Sequence, residues 1–114
     1  MSAQKNSDLV AVHKQLIALV DQLSQQQESA TTAAAVKAIT LEIVEVTHRV
    51  TMVGQLLFKE RTEKLSAAVE AVKEGQDAVD AAIGKIEKLN NFVKAITQFL
   101  VLVDKVVDTA KLVV

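Results

Sequence analysis

At 114 residues the chain has room for one domain with a real core, and half of its residues are apolar. A formal net charge of −1, with both signs interleaved, excludes the Lys- and Arg-rich surface that a nucleic-acid binder needs to displace counterions, and three Phe with no Trp or Tyr leave little for single strands to stack on. The absence of cysteine excludes a disulfide framework and a thiolate metal site, and the absence of proline with only three glycines favours helix throughout.

Residues 1–6 read as a disordered start, with Ser7 and Asp8 placed to cap a first helix. They carry no apolar signal core behind a basic patch. The longest charge-free apolar stretches, residues 50–58 and 95–103, fall far short of the ~20 residues a spanning helix needs. The expectation is a soluble, cytoplasmic protein, with signal-less secretion left open. Leu9, Val12, Leu16, Leu19 and Leu23 mark one helical face. Periodicity is then lost over residues 24–32, SQQQESATT, which read as the linker between the first and second helices.

A second helix is expected from Ala33, with Val36, Ile39, Ile43, Val46, Val50, Val53 and Leu57 as its seam. Residues 40–53 are rich in β-branched side chains and carry strand propensity. The sustained 3-4 spacing and the lack of a partner strand decide for helix. From Leu57 to Leu65 the apolar step is eight, so the seam slips. The reading adopted is a chain reversal with Thr62 as the next cap, although Glu60 and Lys64 form an i,i+4 pair that would support an unbroken helix.

A strict heptad series follows: Leu65, Val72, Val79, Ile86, Val93, Leu100, Val107 and Val114. A second series lies three residues on, at Ala68, Gly75, Ala82, Leu89, Ile96, Val103 and Ala110. This is an a/d pattern. It supports a third helix over residues 63–89, antiparallel to the second. A turn at Asn90-Asn91 would begin a fourth helix over 92–112; the alternative is one long helix with both Asn side chains outward at e and f. Ala68, Gly75 and Ala82 permit close helix approach and read as packing inside a hairpin. Gly84 lies off the seam and has no evident role beyond a bend.

No catalytic signature is present. Glu45 and His48 match the Glu-x-x-His spacing of bundle-core metal sites, but at c and f they fall outside the seam and read as surface residues. No Gly-rich phosphate loop and no nucleophile elbow occur. The most unusual segment is the end, where Phe99, Leu100, Val101, Leu102 and Val103 are consecutive. Five such residues encircle a helix, so one core-facing stripe cannot enclose them all.

The expected fold is therefore all-α: a single domain over residues 1–114, an antiparallel bundle of three or four helices with coiled-coil-like heptad packing. The expected role is non-enzymatic, without cofactor, metal, nucleic acid or small-molecule substrate. The chain would self-associate or bind another helical protein through a C-terminal apolar face of Phe92, Phe99, Val101, Leu102, Val106 and Val113. The alternative is a protein active at a membrane or lipid surface, of the pore-forming, granule-coating or translocation-accessory kind.

Overall fold

In the computed structural model, which describes residues 4–113, the elements in chain order are α1 (Ser7–Ser29), α2 (Ala33–Gly54), α3 (Glu63–Glu74), α4 (Gln76–Ile83) and α5 (Leu89–Lys111). No strand occurs among the described residues, so the β-branched run in α2 follows its 3-4 spacing rather than its propensity.

The start of α1 departs from expectation. Asn6, not Ser7 or Asp8, is the N-cap: its side-chain oxygen accepts from the amides of Asp8 (2.9 Å) and Leu9 (3.4 Å). Asn6 is itself buried. Its amide donates to the Leu57 carbonyl at 2.7 Å and its Nδ2 to the Lys59 carbonyl at 3.0 Å. The part of the expected disordered start that is described, residues 4–6, thus ends in an anchor; residues 1–3 lie outside the described residues. The expected linker also shortens, because α1 runs to Ser29. Gln and Glu are good helix formers, and the loss of apolar period reflects the polar end of the helix, where Gln27 donates to the Thr40 hydroxyl. Only Ala30–Thr32 connect to α2, and Thr32 caps it through the Ala35 amide at 3.1 Å.

The reversal between α2 and α3 falls where the seam slips, and Thr62 caps α3 through the Leu65 amide at 3.1 Å. The third helix is shorter than expected. It is interrupted at Gly75 and ends at Ile83, and the chain turns over Gly84–Lys88. The turn is therefore earlier than Asn90-Asn91, which lie exposed in the first turn of α5. Gly84 is the C-cap of α4, which gives it the role the sequence left open. Gly75 has another: a Cβ there would stand 3.2 Å from Leu102 Cδ1 and 3.4 Å from Phe99 Cδ1, so the missing side chain lets the α3–α4 junction close on α5.

Two antiparallel hairpins result, α1–α2 and α3/α4–α5. They pack so that α1 lies beside α3 and α2 beside α5, with α2 and α3 on the diagonal. The lateral pairs α1/α3 and α2/α5 run parallel; α2 and α3 are antiparallel as expected, but diagonal to each other rather than side by side. Asp8 accepts from the Ser66 hydroxyl at 2.6 Å, and one turn pair further Gln15 donates to the Val72 carbonyl at 3.1 Å and to Gln76 at 2.8 Å. On the other side Arg49 meets Asp104, while Met52 shares a cleft with Val107. The diagonal crossing is made by the segment between Gly54 and Glu63, whose Leu56 and Leu57 plug that end of the core. The particle measures 52 × 23 × 17 Å.

The two glycines should respond oppositely to substitution, since both have helical φ. At Gly84 a Cβ meets nothing closer than 3.5 Å, so Gly84→Ala should stabilise by roughly 0.4–1 kcal/mol through the unfolded chain. Gly75→Leu overfills the α5 contact and should cost about 1–3 kcal/mol. Urea unfolding of the two variants checks the pair; equal effects would contradict the close approach at Gly75.

Candidate interaction surface

The C-terminal helix buries a much wider face than an a/d seam. Besides Ile96, Leu100, Val103, Val107 and Ala110, it encloses Phe92, Phe99 and Val106, which occupy the g position of the same heptads. α5 touches α2 along one flank and α3 and α4 along the other, and a helix with two such neighbours needs a third apolar column.

The six expected contact residues therefore divide. Phe92, Phe99 and Val106 are core residues of the single chain and are not available at its surface. Leu102 is half-buried against Gly75. Val101 is 60% exposed. Val113 is half-buried at the helix end, where its carbonyl accepts from Lys59 Nζ at 2.7 Å. Seven other large apolar side chains are exposed: Ile17 on α1, Val36, Leu41 and Val44 on α2, Phe58 in the crossing segment, Val93 on α5 and Leu112 after it. Val36 and Val93 are thus corrections to the expected seam, each lying near a helix start where fewer neighbours cover it. For Ile17, Leu41, Val44 and Phe58 the signal is an apolar residue off the seam, the same signal that singles out Val101.

Beside Val101, between α2 and α5, lies a cleft of about 190 Å³ lined by Glu42, Glu45, Arg49, Thr97, Leu100, Val101 and Asp104. Arg49 organises it. Its guanidinium donates from Nε to Asp104 Oδ1 at 3.0 Å and from Nη2 to Asp104 Oδ2 at 3.1 Å, a bidentate pair that ties α2 to α5. Its Nη1 reaches Glu45 at 2.6 Å, the i,i+4 neighbour. The hydrogen bond to Asp104 holds the Arg49 guanidinium above its ordinary value, with burial acting the other way.

Glu42 has no such partner. It is only 8% exposed, and its Oε2 is buried without a hydrogen bond. It sits at the g position of α2, one heptad after the buried Ala35 and one before Arg49, so α5 covers it. Burial, and after it the neighbouring Glu45 carboxylate, push the Glu42 carboxyl above the usual carboxylate range, and the Arg49 guanidinium offsets part of this.

Chemically the cleft is an acidic groove with one fixed cation. Glu45 and His48 do not converge on a site: Glu45 is engaged by Arg49, and His48 is exposed on α2. Among the described residues no group of three or more His, Asp or Glu is arranged to hold a metal ion. No helix there is long and apolar enough to cross a membrane.

The Glu42 geometry has a definite pH signature. The folded chain holds this proton more tightly than the unfolded chain, so its contribution to stability is full below the ordinary carboxylate range and is lost as the pH rises through the raised one. Glu42→Leu should therefore stabilise at neutral pH by about 1–3 kcal/mol, the cost of a buried polar atom without a partner, and this advantage should shrink in acid. Urea unfolding of both proteins at neutral and acid pH checks it; equal stability at neutral pH contradicts it.

Comparisons of the chain with protein-family models, with curated proteins and with solved structures found no match.

Proposed function

We propose that the chain is a non-enzymatic helical interaction protein that self-associates through the outer face of its C-terminal helix. The observation that carries this reading is Val101, which stands 60% exposed at the centre of an otherwise well-covered helix. Its helix neighbours on the outside, Lys94, Thr97, Lys105 and Asp108, are exposed and polar. An apolar centre with a polar rim is the usual anatomy of a contact surface. In the same reading the buried members of the a/d series, Leu65, Ala68 and Val72 in α3 and Ile96, Leu100, Val103, Val107 and Ala110 in α5, pack as knobs into holes within each copy. The outer face of α5 is then left for association.

Covering Val101 contributes about 1 kcal/mol per copy, part of the value for a fully buried Val, and the cost of association consumes much of such gains. The proposed association is therefore weak and depends on concentration. A second reading, attachment to a lipid surface, is favoured by a different observation: Phe58 is 60% and Leu112 83% exposed, both beside the Lys59–Val113 contact at one end of the molecule.

Light scattering across a concentration series tests the first reading. The wild-type mass should rise above the monomer's 12.3 kDa, and Val101→Lys should hold it there. A wild type that remains monomeric at high concentration would contradict self-association. Flotation with vesicles that is lost in Phe58→Lys/Leu112→Lys would support the second reading.

A further inference from the structure

Resting on the self-association proposed above, the geometry points to the face shared by α2 and α5 as the docking surface, with a second copy of this chain as its occupant. Asp104 and Lys105 stand three and four positions after Val101 on one helix, so they fall on opposite flanks of it. Asp104 is on the α2 side, where Arg49 holds it. Lys105 is on the side that continues to Leu102 and Gly75, and Lys94, one heptad before Val101, leans the same way. Both lysines are exposed and neither forms an ion pair among the described residues. The face thus has an acidic flank, an apolar middle and a basic flank.

The acidic flank is also incomplete. Glu42, Glu45 and Asp104 share a single guanidinium, and Glu42 lines the cleft nine-tenths buried with Oε2 unpartnered. Arg49 offsets the Glu42 carboxyl only in part, and a buried carboxylate that is incompletely compensated is unfavourable. The cleft, about 190 Å³, has room for one ammonium group and the methylenes that carry it.

A second copy turned by half a rotation about an axis along α5 sets Val101 against Val101. It also lays each basic flank on the other's acidic flank, twice by symmetry. The two α5 helices then run parallel, and residues at the same level face one another. Helix side chains lean toward the N-terminus, which brings the Lys105 ammonium of each copy to the level of the partner cleft, against Glu45 and Asp104. Its stem covers Val101. The contact is isologous, so it closes as a dimer and does not propagate into a filament.

Sedimentation velocity on the full chain tests this with charge reversal at exposed positions. Lys105→Glu and Glu45→Lys should each raise the dimer dissociation constant about tenfold or more. An equimolar mixture of the two should recover near wild-type affinity, because both contacts then pair opposite charges. Single variants that dimerise like the wild type, or a mixture that fails to recover, would overturn this face while leaving self-association standing. A wild type that is monomeric throughout would overturn both. Wild type that stays monomeric but floats with phosphatidylcholine vesicles, dependent on Val101, would assign the face to lipid and overturn the dimer.

Discussion

The structure depends on the breadth of the apolar face of α5. Eight of its side chains, from Phe92 to Ala110, are buried, and they meet α2 on one flank and α3 with α4 on the other. The two hairpins share one core. The α1–α2 pair is closed by Leu9, Val12, Leu16, Leu19 and Leu23 packed on Ile39, Val46 and Val53, but it leaves the g column of α2 to be covered from outside. α5 covers it. Burial of this kind is non-directional, so the polar contacts at the ends and edges fix the arrangement: Asn6 on Leu57 and Lys59, Gln15 on Val72 and Gln76, Arg49 on Asp104.

The same constraint shapes the surface. The g column of α2 runs Ala35, Glu42, Arg49, and that of α5 runs Phe92, Phe99, Val106. The second is wholly apolar and disappears into the core. The first carries two charges of opposite sign, and only Arg49 finds partners. The polar cleft between α2 and α5 follows directly, because Glu42 is held where an apolar residue would pack. Stability is given up at this position, and the proposed docking surface is centred beside it.

Much of this was legible from residue spacing. The face of α1 is buried at all five positions read from its period, and Thr32 and Thr62 stand where the slips and starts of the seam require caps. Asn6, Ser7 and Asp8 are equally good capping residues in a row, and local sequence does not show that the Asn6 side chain also has to close on the crossing segment, which is what selects it. Asn90-Asn91 suggests a turn only because Asn suits helix caps, and the true turn at Gly84–Lys88 leaves no mark on the heptad phase: Val79, Ile86 and Val93 keep their interval whether or not the backbone is helical. Hairpin neighbours were inferred from order along the chain. The diagonal step from α2 to α3 is set by which faces fit, and a one-dimensional period carries no such information. Phe92, Phe99 and Val106 were read as a surface because only a and d were counted as inward. Their own seven-residue spacing was the sign of a third column, and the same spacing at Ala35, Glu42 and Arg49 would have pointed to the cleft.

Native-state hydrogen exchange of the α5 amides tests the central role of this helix most directly. Ile96, Val103 and Val107 should exchange only through global unfolding, with a free energy equal to that from denaturant and at least as large as that of the α1 amides. Exchange of α5 through a cheaper local opening, with α1 and α2 still protected, would show that the helix is a detachable arm and contradict the account.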